Sequence, residues 1–213
     1  GAGAAGACPV AARAGVVANA GMDALRAVVL EADSARVARQ LPAKQAGVLY
    51  GAALATTQLR DFKAAQAYLA RLRVIVGPSG AAARLTALLA VEMALAADQI
   101  AQATPWMAAL SATAKQRPEL MLAASVAARS GQRALAREAA QNLQVWVTDH
   151  PTDAGAWQQL ATLYAAQGQT LRAIRAEAET QVARLDYAAG VDRLRAAQDF
   201  DAFQVEQRQF GVQ

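Results

Sequence analysis

The sequence predicts an all-α protein. Hydrophobic residues make up 55% of the 213 residues, whereas aromatic residues make up only 5%. Alanine alone fills 59 positions, and alanine is both the strongest helix former and small enough to let helices approach closely. Glycine and proline are sparse, at 14 and 6 residues, and they fall mostly between apolar stretches of helical period, where they end helices.

The first 40 residues predict a leader followed by two short helices. Residues 1–20 are rich in Gly and Ala, and chain termini of such low complexity are commonly mobile. We therefore expect a flexible leader there. One short helix is expected over 22–32 and another over 35–40. The second should end before Pro42, because the residue before a proline disfavours the helical conformation.

From residue 44 onward, the pattern predicts consecutive helix pairs. In the first pair, an apolar stripe of helical spacing begins at Phe62 and ends at Val76. Gly131 and Gly168, 37 residues apart, mark the turns of the last two pairs. Pairs repeated at about this interval are typical of an α-solenoid. We predict one repeat domain over 21–208 and a tail over 209–213, with pairs at 44–77, 79–116, 118–149 and 153–185 and a final helix at 187–208.

Pro105 falls in the second helix of the second pair. Proline lacks the backbone N–H that a helix interior uses, and its ring clashes with the preceding turn. The helix should therefore begin at Pro105, with Thr104 as its N-cap, or bend there.

The fourth pair contains the clearest motif, in "WQQLATLYAAQGQTLRAIRAEAE". Trp157, Leu160, Tyr164 and Ala173 match the tetratricopeptide pattern in residue type and spacing, and Ala161 replaces its glycine with another small residue. The aromatic and proline that end the pattern are absent. Because the first helix places these residues on one face, we expect Trp157 and Tyr164 to be core residues that hold the pair together. The sequence thus predicts a tetratricopeptide-like α-solenoid of about four helix pairs with flanking helices.

Three segments resemble the C-terminal repeat region of BepA-like proteins: "DALRAVVLEADS" with the first pair that follows it, "HPTDAGAWQQLATLYAAQGQTLRAIRAEAE", and "LDYAAGVDRLRAAQDF". Members of that family are periplasmic zinc metalloproteases that join an HExxH catalytic domain to a tetratricopeptide tail. The resemblance implies a periplasmic location, contact with the family's own protease domain, and recognition of outer-membrane proteins or their assembly machinery. The HExxH motif has no counterpart in this sequence, so the resemblance transfers no catalytic or zinc-binding residue.

Composition argues against several kinds of site. Cys8 and His150 are the only cysteine and histidine, which leaves few of the ligands that zinc prefers. We therefore expect no catalysis, no metal and no cofactor in this chain. The net charge is +4, but the arginines are scattered rather than gathered into a stripe with aromatic residues, so nucleic acid is not an expected partner. No apolar run reaches the length of a membrane span.

The predicted function is a non-catalytic protein–protein interaction region of a periplasmic metalloprotease. Two alternatives remain open: a stand-alone adaptor in a bacterial assembly complex, and an enzyme with an unfamiliar site. The partner is expected to be a protein or peptide held in a groove formed by the first helices of the third and fourth pairs. The predicted contact residues are Ser125 and Arg129 on one helix and Gln158 and Thr162, one turn apart, on the other.

Overall fold

The computed structural model describes residues 9, 11–14, 16, 21–185, 189 and 191–198. Every regular element within these residues is helical, which confirms the all-α prediction. Residues 191–198 are helical, whereas the predicted tail over 209–213 and most of the rest of the predicted final helix lie outside the described residues. The α-helices within 21–185 are α1 (Met22–Asp33), α2 (Pro42–Gln58), α3 (Phe62–Val76), α4 (Gly80–Ala96), α5 (Ile100–Ala109), α6 (Arg117–Ser130), α7 (Arg133–Asp149), α8 (Ala154–Ala166) and α9 (Thr170–Ala183), with short 3-10 turns at Val37–Arg39 and Ser111–Thr113.

The chain divides into two compact units, residues 1–113 and residues 114–213. Unit 1 contains α1 to α5, and unit 2 contains α6 to α9. The single repeat domain over 21–208 stays a prediction. Within the described ranges, no helix combines the length and the apolar character that crossing a membrane requires.

One type of turn closes three of the helix pairs. Arg60, Asp98 and Gly168 adopt positive φ angles of 62°, 57° and 73° directly after the first helix of each pair. The amide that follows each of them donates a hydrogen bond of 2.8 to 2.9 Å to a carbonyl five residues earlier. This is the Schellman arrangement, which satisfies carbonyls that the end of a helix leaves without partners. The predicted turn at Gly131 has a positive φ as well, 68°. Within residues 21–185, four helix pairs therefore turn at a residue of positive φ.

Helix α2 lies at the centre of unit 1. It contacts α1, α3 and α4, and most of its residues from 46 to 57 are buried. Many of these are alanines with no exposed surface, such as Ala52, Ala53 and Ala55. Small residues at a helix contact let the two backbones approach closely. The alanine excess of the sequence therefore serves close helix packing.

Part of the segment that was expected to be a flexible leader is helical. Residues 9, 11–14 and 16 are helical, and Val16 is only 3% exposed. The Arg13 guanidinium donates to both carboxylate oxygens of Glu92, at 2.8 and 2.9 Å, and to the Tyr50 hydroxyl at 3.3 Å. Composition suggested a mobile tail, but one arginine and one valine attach this stretch to α2 and α4.

Helix α5 includes Pro105 rather than beginning there. It starts at Ile100, five residues before the proline, and ends at Ala109. The lost amide hydrogen bond and the ring clash are therefore confined to a helix of ten residues. The expectation of a helix that starts at Pro105 was wrong, because the chain turns at Asp98 and enters α5 two residues later. The alternative, a bend at Pro105, stays a prediction.

The core of unit 2 is built around α8. This helix contacts α6, α7 and α9, and Leu160 and Leu163 on it are fully buried. Leu143 of α7 is fully buried in the same cluster. Because α8 lies between α7 and α9, the side chains that it leaves partly uncovered form the floor of any depression between those two helices.

Candidate functional site

The four predicted contact residues lie on two helices that pack together. Ser125 and Arg129 belong to α6, and Gln158 and Thr162 belong to α8. Arg129, Gln158 and Thr162 are exposed, and Ser125 is partly buried. The hydroxyls of Ser125 and Thr162 donate to carbonyls one turn earlier in their own helices, at 3.0 and 3.1 Å. The binding role of these four residues stays a prediction.

A depression lies elsewhere in unit 2, between α7, α8 and α9. It has a volume of about 800 Å³, and none of the four predicted residues lines it. We call it the α7–α9 groove. It is lined by the apolar or aromatic residues Ala140, Val145, Trp157, Tyr164 and Ala176, by the amides of Gln141, Gln144, Gln167 and Gln169, and by the charged residues Arg137, Arg172, Arg175 and Glu179.

Helical spacing places these residues along the groove. On α7, the lining residues from Arg137 to Val145 follow offsets of three and four, and on α9 those from Arg172 to Glu179 do the same. Residues at such offsets share one face of a helix. This spacing was the feature of the sequence from which the groove could have been predicted. It was missed because the sequence does not show which faces of α7 and α9 lie on either side of α8.

The aromatic floor of the groove corrects one expectation. Tyr164 is buried, as expected, and its hydroxyl donates to the Gln144 side chain at 2.8 Å. Trp157 is only partly buried, and its indole N–H donates to the carbonyl of Pro151 at 2.9 Å. Trp157 therefore packs against the core on one side and faces the groove on the other.

The charged residues of the groove are mostly arginines. Arg137 and Arg175 are exposed and have no ion-pair partner among the described residues. The Arg172 guanidinium lies 5.7 Å from the centre of the Tyr164 ring, within the range of a cation–π contact. Glu179 is the acidic residue among those that line the groove. The groove therefore combines an aromatic floor with an excess of positive charge.

A single carboxylate connects three helices beside this groove. Asp153 is the N-cap of α8 and accepts from the amide of Ala156 at 3.1 Å. It also accepts two bonds from Arg117, at 2.7 and 2.8 Å, and one from the Trp146 indole at 2.9 Å. Arg117 lies at the start of α6 and Trp146 near the end of α7, so the Asp153 network fixes α6 and α7 relative to α8.

The surroundings of Asp153 stabilise its ionised form. Hydrogen bonds from Arg117 hold the pKa of the Asp153 carboxyl well below its usual range, with further contributions from Trp146 and the Ala156 amide that outweigh the effect of partial burial. The side chain is 12% exposed, whereas that of Arg117 is half exposed. Such a carboxylate is held in place by structural bonds and has no free oxygen to serve as a general base.

The two residues with the strongest ligand chemistry are His150 and Cys8. His150 stacks on Trp146, with ring centres 3.8 Å apart, and its Nδ1 lies 3.1 Å from the Trp146 carbonyl. Cys8 lies outside the described residues. Within those residues, no group of three or more His, Cys, Asp and Glu side chains is placed to hold a metal ion.

Comparisons with protein-family models and with curated proteins identify no relative. No protein-family model matches the chain. None of the curated proteins is similar to it. Its function has therefore to be inferred from its own residues and contacts.

Proposed function

We propose that the chain is a non-catalytic protein-interaction module whose helix pairs stack like tetratricopeptide repeats. The supporting observation is a contact scheme that occurs once in each unit. In unit 1, α2 contacts α3 and α4, and α3 also contacts α4. In unit 2, α6 contacts α7 and α8, and α7 also contacts α8. Within each unit, the first pair thus packs on the first helix of the second pair, as neighbouring pairs do in repeat arrays.

The residues of the fourth pair support the same arrangement. Leu160, Ala161, Tyr164 and Ala173, which match or replace tetratricopeptide positions, are all buried. Ala161 and Ala173 are small and lie on α8 and α9, two helices in extensive contact. Small residues at these positions allow that close approach. These four residues therefore serve the packing of the pair.

We propose a protein or peptide as the partner, contacted in part by the face shared by α6 and α8. Replacing Gln158 and Thr162 with Arg should weaken capture of the partner. Both residues are exposed, so the free energy of unfolding should stay within about 0.5 kcal/mol of the wild-type value. A pull-down with the folded double variant tests this, and undiminished capture would move the contact surface to another face.

The parent protein is proposed from the sequence segments alone. We place the module in the periplasm, as the interaction region of a BepA-like zinc metalloprotease that packs on its own protease domain and contacts outer-membrane proteins or their assembly machinery. Sequencing of the reading frame upstream of Gly1 tests this placement. An HExxH domain in frame supports it, whereas an open reading frame without one favours a stand-alone adaptor in a bacterial assembly complex.

The enzyme alternative has its own test. The isolated chain should bind no stoichiometric zinc and should cleave no casein, because its sequence has one histidine, one cysteine and no HExxH motif. Isothermal titration calorimetry with zinc and a casein assay with and without chelator measure these properties. Equimolar zinc binding, or cleavage that a chelator abolishes, would overturn the non-catalytic assignment.

A further inference from the structure

We propose that the α7–α9 groove binds an extended acidic segment of a partner protein, whose carboxylates pair with the groove's arginines and whose apolar side chains lie on Trp157. The inference rests on the proposed interaction function. It adds a second surface, separate from the residues predicted on α6 and α8, and it gives that surface a partner of defined chemistry.

Charge is the first reason for an acidic partner. Arg137 projects from α7, and Arg172 and Arg175 project from α9, on the two sides of the α8 floor. These three cations face one lining carboxylate, that of Glu179. Arginine pairs with carboxylates through two parallel hydrogen bonds, which gives directional recognition. Since Arg137 and Arg175 have no ion-pair partner within the described chain, both are available to a bound carboxylate.

The floor of the groove explains why the segment should also contain apolar residues. Trp157 is partly exposed there, and Val145 on the rim is 66% exposed. Aromatic residues together with arginine are enriched at the centres of protein interfaces. Hydrogen bonds to Pro151 and Gln144 fix the Trp157 and Tyr164 side chains. A partner side chain therefore meets a floor whose orientation is already set, which lowers the ordering cost of binding.

The glutamines favour an extended segment over a helix. Gln141 is exposed and has no hydrogen-bond partner within the described chain. Gln144 uses its oxygen for Tyr164, which leaves its NH2 group available. A carboxamide can donate to and accept from the backbone of a peptide. Only an extended segment offers free backbone groups along its length, because a helix uses them internally.

A peptide titration tests the proposal. The probe is a fluorescein-labelled peptide, GDFEVDLG, and the control peptides replace its acidic residues with Lys or its apolar residues with Ser. We expect saturable anisotropy below about 1 mM for the probe and at least tenfold weaker binding for both controls. Raising NaCl from about 50 to 500 mM should weaken the complex, since salt screens exposed charges.

Matched variants locate the binding surface. Arg175→Glu and Arg184→Glu change the net charge equally. Arg175 lies on the surface of α9 and Arg184 is its C-cap, but only Arg175 lines the groove. Arg175→Glu should weaken probe binding at least tenfold, and Arg184→Glu by less than about twofold. Val145→Asp should weaken it about fivefold or more. Because these residues are exposed, circular dichroism melts should match the wild type.

Three results would overturn the groove assignment: no saturable binding of the probe, equal losses in the two arginine variants, or equal binding of the Lys-substituted peptide. Tighter binding of a 12-nucleotide oligo-dT than of the probe would also contradict it and would assign the arginines to nucleic acid. These outcomes are distinguishable from failure of the interaction function. That function is tested by partner capture and by the Gln158 and Thr162 variants, which do not touch the groove.

Discussion

Asp153 offers the sharpest test of how unit 2 is held together. The change is Asp153→Ala, and Asp61→Ala in unit 1 is its matched control. Both aspartates are N-caps that accept from an amide three residues later, at 3.0 Å for Asp61 and 3.1 Å for Asp153. Only Asp153 also accepts hydrogen bonds from an arginine and a tryptophan. The difference between the two losses of stability therefore isolates those extra bonds.

The expected magnitudes follow from these contacts. Loss of an N-cap costs about 1 kcal/mol, which is the full loss expected for Asp61→Ala. Hydrogen bonds to charged groups contribute about 1.5–3 kcal/mol each in buried settings. Because Arg117 is half exposed, its contribution is reduced by solvent. We expect a total of about 2–4 kcal/mol for Asp153→Ala. Asp153→Asn should cost less, since an amide oxygen can still cap α8.

Lowering the pH should also weaken the Asp153 network. The pKa of Asp153 is depressed in the folded protein, so its stabilising contribution is present above the unfolded value, near 4. That contribution is lost as the pH falls below that value toward the folded pKa. The wild-type protein should lose stability between about pH 5 and pH 3, and Asp153→Asn should lose less over the same interval.

Urea denaturation, monitored by far-UV circular dichroism, measures the free energy of unfolding of each variant. Amide hydrogen exchange in α8 assigns the losses of stability to unit 2. Equal losses for Asp153→Ala and Asp61→Ala would show that the bonds to Arg117 and Trp146 contribute nothing. A pH dependence unchanged in Asp153→Asn would refute the electrostatic part of the account.

Four further substitutions test the described packing. Gly168→Ala should destabilise the fold by about 1 kcal/mol, because a side chain is strained at the φ of 73° at this position. Leu185→Gly should stabilise the fold by about 0.5–1 kcal/mol, since this 74% exposed leucine has a φ of 64°. Urea melts that show a change of the same sign for both variants would contradict the turn argument. Trp157→Ala should cost about 2 kcal/mol rather than the 3–5 kcal/mol of a fully buried aromatic, and a larger loss in the same melts would mean that Trp157 is a core residue. Arg13→Ala should speed amide exchange of residues 11–14 and 16 at least tenfold by removing the ion pair with Glu92, and unchanged exchange would show that the pair does not hold these residues in place.

Local features of the sequence predicted the helices well. The apolar stripe that begins at Phe62 and ends at Val76 became a helix with these same bounds. Gly131 and Gly168 became left-handed turn residues. Such features depend on a few neighbouring residues, and the sequence contains them directly. The positive φ angles of Arg60 and Asp98 were harder to predict from residue type. Non-glycine residues adopt a positive φ only where surrounding contacts compensate the strain.

Features that depend on distant contacts were missed. Composition made residues 1–20 look mobile, whereas Arg13 reaches Glu92 across 79 residues of sequence. Helical spacing made Trp157 look buried, but it is only partly buried and lines the α7–α9 groove. The α7–α9 groove needs the facing surfaces of two helices on either side of a third. Helical period alone does not reveal that arrangement.

We propose that this chain recognises a protein partner through unit 2. Photocrosslinking in the native organism tests it most directly, with a benzophenone amino acid placed in the full-length protein at Thr162, Val145 or Arg184 in turn. All three positions are exposed, but only the first two lie on proposed contact surfaces. The account predicts a discrete adduct from Thr162 or Val145 that exceeds any from Arg184. No adduct above the level at Arg184 from either position would contradict it.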